Sequence, residues 1–571
     1  MAKGQLQQED VSRSVKDKND ARGSQKSQSN QRSERRKRQT KKRTHRDSDP
    51  AARRMKSTDN DVSWYARTPE LLRAAASLPA YSVVGDVLPI DNTVSVPGAM
   101  AIYWNPALAG FDNNAINQAK DSLYSYIVHA NSRNQSYDAS DLLMVCMASA
   151  NVFTTLAHIV RAYGIAKQYS EMNRYQPKGL LTLMGFDPDD TIANLSNMWF
   201  DINQLIAQSS QLWMPNTMPF LTRQFWMNTN VYTDAESPKA QMYLYVPSMF
   251  YKYAPVEFED GGALVPIRRG EVGAPGADAN PQNFIRLDEI NSSGTNVNLT
   301  MKWENWKELV QVQINALIGD QDRGIIFGDI LKAFGAEKIY ALSPISVDYR
   351  TPIVYNREVL MQIENAAIAN PGLRPVGLKQ NQQLGTIVQL WWQTSPKQSK
   401  QTGYSGKSVL NFHGTVAPSP EEIMVASRMH PGPLRMRSVT TLDYDTSAKK
   451  YTANPKQQLV PDSVGTEVVT GIKYVQFTET SAGVMTLTVH DLPQYPEGDT
   501  IPIDVVMGWA SFDWSPWIYG TTRVVADPAL PTSIKTPWAL GDYDMYIFVD
   551  GIELNKMNTA AVYSEFGVPY L

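Results

Sequence analysis

The sequence predicts an α+β fold with three parts in chain order: a disordered basic arm, a mainly helical region and a β-rich region. Apolar residues spaced three or four apart between about 110 and 230 predict the helices. β-branched and aromatic runs separated by turn residues after about 380 predict the strands. A first stretch nearly devoid of apolar side chains predicts the arm.

With 571 residues and 42% hydrophobic content, the chain is long enough for two or three domains with real cores. Its charge is unevenly spread. Residues 1–58 hold 18 basic and 7 acidic side chains, and the remainder holds 36 and 50, so an arm of formal charge +11 precedes a body of −14. Between residues 1 and 54 the apolar side chains are Met1, Ala2, Leu6, Val11, Val15, Ala21, Ala51 and Ala52, too few to offset the entropy of ordering that backbone.

Order is expected to begin near "DVSWYARTPELLRAAASLP". Thr68 can cap a helix, Pro69 suits its first position, Glu70 complements the dipole and Pro79 stops it. Ile116, Ala119, Leu123, Ile127 and Ala130 share one helical face. A long helix is expected from Asp141 to about Tyr169. Its apolar run from Leu142 to Val160 is interrupted by Ser149, Asn151, two Thr and His158, which marks a buried helix and not a membrane span. "DPDDTIANLSNMWFDINQLIAQ" reads as a third helical segment. "YLYVP" and "GGALVPI" read as short strands, and "WENWKELVQVQINALI" and "REVLMQIENAAI" as helices. After about 380, "GTIVQLWWQT", "TEVVTGIKYVQFTET", "GVMTLTVHDL", "IPIDVVMGWASF" and "DYDMYIFVDGIEL" read as strands separated by turn residues and are expected to be antiparallel.

Catalytic chemistry finds little support. "TGYSGKS" (residues 402–408) ends like a phosphate-binding loop, but the required first glycine is Gln401 and a strand, not a helix, follows. The six histidines, at 45, 129, 158, 413, 430 and 490, never fall three or four apart, so no local metal pair is written. His129 and His158 are expected to be packed or capped. "DPDD" (187–190) is expected at a helix N-terminus, where acids need no ion. Cys146, the single cysteine, excludes an intramolecular disulfide and lies in an apolar helix, where it behaves as a small hydrophobe. No catalytic group, metal or cofactor is expected. The aromatic clusters "QFWMNTNVYTD", "YLYVPSMFYKY", "WENW" and "FDWSPWIYG" suit either ordinary cores, as each alone would be read, or surfaces buried against copies of the chain, toward which their number shifts the balance modestly.

The arm concentrates its charge in "QRSERRKRQTKKRTHR". Arg32, Arg35, Arg36, Lys37, Arg38, Lys41, Lys42, Arg43 and Arg46 are the candidate residues for binding the phosphates of a nucleic acid, which the resemblance given below makes RNA-binding residues. A nuclear import signal and a solubilising tail compete with this reading. A tail meant only to solubilise has no need to oppose the sign of its own body, whereas polyanion binding requires it. With no aromatic side chain before Trp64, the arm offers no base stacking, so contact with phosphates irrespective of sequence is expected.

Three stretches, "WYARTPELLRAAASLP", the run from "YDASDLLMVCMASANVFTTLAHIV" to "LMGFDPDDTIANL", and "MPFLTRQFWMNTNVYTDAESPKAQMYLYVPSMFYKY", resemble the capsid proteins of picobirnaviruses. The resemblance is strongest from about Trp64 to Tyr253. It implies a structural protein that forms symmetric homodimers and closes a small icosahedral shell around double-stranded RNA. It also implies a helical shell domain and a β-containing projecting domain, here 59–375 and 376–571 behind the 1–58 arm, with the chain free to return to the shell. The partners it implies are copies of the chain, viral double-stranded RNA and, transiently, a host membrane. The place it implies is the virion, assembled in the host cytoplasm. Some members lose the arm by autocatalytic cleavage, for which no residue is assigned here. A cellular-type RNA-binding protein with a basic tail and an interaction body, and a self-cleaving protein, are the alternatives.

Overall fold

The computed structural model describes residues 68–70, 72–73, 98–107 and, with breaks, 115–567; the widest breaks are 277–282, 290–298, 394–407, 480–484, 493–502 and 524–534. The chain divides into two compact units, Met1–Ala80 and Tyr81–Leu571. In the first, Pro69, Glu70, Leu72 and Arg73 are helical, and the Leu72 N–H donates to the Thr68 carbonyl at 3.2 Å.

The second unit carries all other described elements. Its helices are α1 (Ala115–Asn131), α2 (Ala139–Ala166), α3 (Tyr175–Leu183), α4 (Pro188–Ala193), α5 (Leu195–Ser209) and α6 (Pro219–Trp226). They continue with α7 (Trp303–Ile318), α8 (Asp322–Phe334), α9 (Arg357–Glu364), α10 (Pro420–Ala426), α11 (Ile503–Ala510) and α12 (Gly551–Phe566). The early strands are β1 (Ala99–Pro106), β2 (Val231–Thr233), β3 (Met242–Pro247), β4 (Tyr251–Phe258), β5 (Gly261–Pro266) and β6 (Ile353–Val354). The later ones are β7 (Leu373–Asn381), β8 (Thr386–Gln393), β9 (Ser408–Phe412), β10 (Leu434–Asp445), β11 (Lys450–Pro461), β12 (Glu467–Glu479), β13 (Met485–Asp491), β14 (Ile518–Arg523), β15 (Lys535–Leu540) and β16 (Met545–Val549).

Two six-stranded sheets organise them, in the orders β13-β12-β1-β3-β2-β6 and β11-β10-β8-β7-β5-β4, beside the pairs β14-β15 and β16-β9. The first sheet is mixed: β1 runs antiparallel to β12 and parallel to β3. Both sheets join strands from early and late in the chain, so residue 375 is not a boundary between sheets.

The first sheet is covered on both faces, and β1 shows why its sequence allows this. Successive side chains of a strand point to opposite faces. Ala99, Ala101 and Tyr103 enter one apolar core, while Met100, Ile102 and Trp104 enter a second. β3 repeats the arrangement, with Met242, Leu244 and Val246 on one side and Tyr243 and Tyr245 on the other. A strand buried on both faces reads as a continuous apolar run, which is how "AMAIYWNP" is written.

The helix α2 is the axis of the larger core. Of its 28 residues, 25 are buried. The polar residues that interrupt its apolar run are satisfied locally: the hydroxyls of Ser149, Thr154 and Thr155 donate to carbonyls four residues back at 2.8–2.9 Å. Asn151 Oδ1 accepts from the Tyr251 N–H at 3.2 Å and from Gln313 Nε2 at 2.6 Å, tying α2 to β4 and α7. Although long and apolar enough to cross a membrane, α2 is surrounded by its own protein. Cys146 is fully buried in it, and burial pushes the thiol up to about 12.

Three local expectations change. "DPDDTIANLSNMWFDINQLIAQ" forms two helices, broken at Asn194, and the carboxylate of Asp187 caps the first by accepting from the Asp189 and Asp190 N–H groups. "IPIDVVMGWASF" contains α11, not a strand; its apolar residues fill so many positions that periodicity could not separate the two. Beyond β16 lies α12, capped by Asp550, which accepts from Ile552 and Glu553.

Gly164 in α2 offers a test of this packing. A Cβ there would lie 2.5 Å from the Thr351 amide nitrogen and 2.8 Å from the Tyr349 ring. Gly164→Ala ordinarily stabilises an exposed helix interior by about 1 kcal/mol. Here the urea midpoint should fall, by an amount equivalent to about 1–3 kcal/mol of overpacking. A midpoint that rises would show that the 349–351 segment is not seated against α2.

Candidate functional site: the basic arm and the charged locks of the body

The nine basic candidates, Arg32, Arg35, Arg36, Lys37, Arg38, Lys41, Lys42, Arg43 and Arg46, lie outside the described residues, as does the "TGYSGK" loop up to residue 407. Among the described residues no group of three or more His, Cys, Asp or Glu could hold a metal. What the structure shows instead is a set of buried charged contacts that join distant parts of the chain.

The first lies inside the helical core. Arg161 of α2 is fully buried and meets carbonyls, not carboxylates, among the described residues. One of its terminal nitrogens donates to the Tyr245 carbonyl at 2.6 Å and to Asn228 Oδ1 at 3.4 Å, and the other to the Asn230 carbonyl at 3.3 Å. His158 sits 3.2 Å away through Nδ1, and its Nε2 donates to the Met184 carbonyl at 2.9 Å, so Nδ1 is the acceptor. Burial, reinforced by the Arg161 charge, holds His158 well below its usual range and therefore neutral. Burial lowers Arg161 itself to about 9. The guanidinium spends its donors on the segment after α6 and on β3, which fixes the helical layer to the sheet.

The second joins the sheets. Arg374 of β7 pairs with Asp288, whose other oxygen faces Arg286 Nε at 3.4 Å. Lys473 of β12 donates to the Glu289 carbonyl at 2.9 Å and approaches Asp491 of β13 at 3.8 Å. Burial lowers Lys473 to about 8, with Asp491 opposing, and burial also raises Asp491.

The third holds the C-terminal helix. Arg223 Nε of α6 donates to Glu467 Oε2 at 3.1 Å, and its terminal nitrogen to Gln362 Oε1 of α9 at 2.8 Å. Burial opposes the Arg223 charge, but Glu467 ahead of Glu565 keeps the guanidinium above its ordinary value. Arg428 pairs with Glu565 of α12. Thr466 Oγ1 lies 2.7 Å from Glu467 Oε1 and 2.6 Å from Glu565 Oε2. A hydroxyl has one proton, so it can donate to only one of two carboxylates. The other contact is made when Glu565 carries a proton and donates to the Thr466 oxygen. Burial raises Glu565 in that direction, with Arg428 opposing.

The aromatic clusters, suited to either role by sequence, lie in the protomer's own cores. Tyr232, Tyr243, Tyr245, Phe250, Trp306, Phe512 and Trp517 are all buried, and Trp306 stacks on Phe186 with ring centroids 4.3 Å apart. Two-sided burial of the central sheet consumes them. Other apolar side chains are left exposed among the described residues, the most exposed including Val416, Phe200 of α5, Phe548 of β16 and Ile552 of α12. His129 is exposed and bonds the Ser125 carbonyl, whereas His158 was the more informative histidine; its partner Arg161 had no sequence signal beyond a lone cation in an apolar helix.

The Glu565 arrangement sets a pH dependence. A carboxyl whose folded value is raised favours the folded state at low pH, and that contribution is lost as pH rises through the raised value. Glu565→Gln keeps a donor for Thr466 and an acceptor for Arg428 but has no proton to lose. Urea unfolding of wild type should therefore lose stability relative to Glu565→Gln as pH rises from acid to neutral and above. Glu565→Ala should be less stable than both by about 1–3 kcal/mol at acid pH. Parallel pH profiles for wild type and the Gln variant would remove the shared proton.

With this geometry in hand, comparison with known proteins is direct. The family model for the picobirnavirus capsid protein matches residues 64–495. The capsid protein precursor of Human picobirnavirus (strain Human/Thailand/Hy005102/-) is 25% identical over 575 residues, covering 93% of this chain and 95% of that one. The crystal structure of the picobirnavirus capsid matches with a TM-score of 0.67 at 19% identity, over 89% of this chain and 98% of that chain. That match supports the α+β fold of the helical layer and sheets. The chain belongs to the picobirnavirus capsid protein family, and as a capsid protein its place is the virion.

Proposed function

We propose that the chain assembles as symmetric homodimers into a small icosahedral shell around double-stranded RNA, and that Arg32, Arg35, Arg36, Lys37, Arg38, Lys41, Lys42, Arg43 and Arg46 bind the RNA phosphates. The observation that carries the arm's role is the opposition of charge, +11 in residues 1–58 against −14 in the rest. A shell whose walls are net negative needs a positive element to hold a polyanion, and a long arm supplies it without base recognition. Assembly in the host cytoplasm suits a chain with one buried cysteine and no disulfide.

Residues 59–375 are assigned to the shell layer and 376–571 to the projecting layer, with β12 and β13 returning to the sheet begun by β1 and β8, β10 and β11 to the sheet begun by β4 and β5. Subunit contacts fall to the exposed apolar side chains, since the large aromatic clusters are spent within the protomer. A transient contact with a host membrane belongs to the same reading. It would have to use a surface other than α2, whose apolar side chains face inward.

Full-length protein should form closed particles by electron microscopy and co-purify with RNA. A chain lacking residues 1–58 should still form particles but hold far less RNA. If about five of the nine cations engage duplex phosphates, log affinity should fall against log salt with a slope of about −4 to −5. A flat salt response would sink the arm's assignment, and loss of particles on deletion would mean that the arm also organises subunit contacts.

The word "precursor" in the name of the human relative favours one second reading, removal of the arm during maturation. Mass spectrometry of chains from purified particles should then find an N-terminus between Arg54 and Trp64. Particles containing only the intact chain would dismiss it.

A further inference from the structure

We infer that Lys473 and Asp491 condense into an intramolecular isopeptide bond, a covalent cross-link between β12 and β13 whose role is separate from assembly and RNA binding. The two residues stand directly opposite each other in the antiparallel pair, and Lys473 Nζ lies 3.8 Å from Asp491 Oδ1. β13 is at the edge of the first sheet, with β12 as its neighbour there, so the bond fastens an edge strand to the sheet.

Condensation of an amine with a carboxylic acid needs both groups neutral and held together away from bulk water. The Lys473 side chain is 2% exposed, and its Nζ lies 5.4 Å from the centre of the Tyr103 ring. Burial lowers the amine to about 8 against the opposing Asp491 charge, and Arg286 and Arg374 lower it further. Burial raises the Asp491 carboxyl against Lys473 and Arg374. Each shift favours the form that reacts. Passing the ammonium proton to Asp491 produces an amine beside a carboxylic acid, with no proton gained or lost by the pair.

The remaining contacts of Nζ suit attack. It donates to the Leu287 carbonyl at 3.3 Å and to the Glu289 carbonyl at 2.9 Å. An ammonium has three hydrogens, whereas a neutral amine has two and a lone pair. With both hydrogens of the amine held by those carbonyls, the lone pair takes the third position, the one that serves Asp491 in the ion pair. Arg374 acts on Asp491 through its charge and stabilises the negative oxygen that forms when the carboxyl carbon is attacked.

In the step itself a bond forms between Nζ and Asp491 Cγ, and the bond from Cγ to its hydroxyl breaks. One amine proton leaves with that hydroxyl as water, and nothing is oxidised or reduced. The Asp491 side chain is 20% exposed, which gives the water an exit. Free amines and acids in water do not condense to a useful extent, but holding the two in contact supplies effective molarities of about 10⁵–10⁸ M. Without the reaction the same residues form an ordinary buried ion pair, and mass separates the two states.

Glutamate-specific digestion of the purified, denatured full-length chain, read by mass spectrometry, tests the bond. An unlinked chain releases residues 468–479, which carry Lys473, and 480–497, which carry Asp491, as separate peptides. Most wild-type chains are expected to give one branched peptide instead, lighter than the sum of the two by one water. Lys473→Met, similar in length but without an amine, should give only the separate peptides, as should Asp491→Ala. The wild-type digest is decisive whether or not these variants fold: separate peptides alone overturn the cross-link. A joined peptide that persists in Lys473→Met also overturns it, by placing the join at another residue.

Discussion

The constraint on which the rest depends is that one mixed sheet is buried on both faces. β1 and β3 supply Ala, Leu and Val toward the helical layer and Trp, Tyr and Ile toward the opposite core. Each large side chain so buried contributes about 1.5–3 kcal/mol relative to exposure. The cost is topological, because two layers must be recruited to cover one sheet. α2 and its neighbours cover one face. α9, α11 and the β9/β16 pair supply side chains to the other, including Leu360, Trp509, Leu410 and Val549.

Burial on this scale traps charge. The contacts of Arg161, Arg374 and Arg223 each link segments far apart in sequence, and each guanidinium is removed from water. Breaking such a contact is costly, whereas replacing both partners with apolar groups often is not. The value of these locks is thus in specifying which segments meet. Arg161 accomplishes this without a carboxylate among the described residues, selecting the C-terminal end of α6 and the Tyr245 position of β3. Charges placed this way define a single arrangement of a protomer that must fit identical neighbours.

The helical layer was legible in sequence because its signals are long and periodic. "WENWKELVQVQINALI" is α7 residue for residue, and α2 begins and ends within three residues of the span read from its apolar run. The family was legible too, from ordered stretches rather than from any catalytic signature. β1 was not, because "AMAIYWNP" pairs with residues 467–475 and no local pattern announces such a partner. α11 was misread since an apolar segment covered on several sides shows no preferred period. α12 was hidden behind β16, although Asp550 and Glu553 carry the marks of a helix start. The lock residues Thr466, Glu467 and Glu565 were illegible for another reason: a cluster exists only where three chain segments converge.

The pairing of β1 with β12 has a consequence in time. The Thr470 hydroxyl reaches the Tyr103 carbonyl across 367 residues. At about 5–20 residues per second of synthesis, β1 waits tens of seconds for that neighbour to leave the ribosome. Until then it can pair with β3 alone, and its remaining edge stays open, which is the condition under which strands associate with the wrong chain. α12, later in the chain, carries Glu565 onto Thr466 beside the start of β12. The contacts that Glu565 makes with Thr466 and Arg428 are therefore also out of reach until synthesis has passed residue 565.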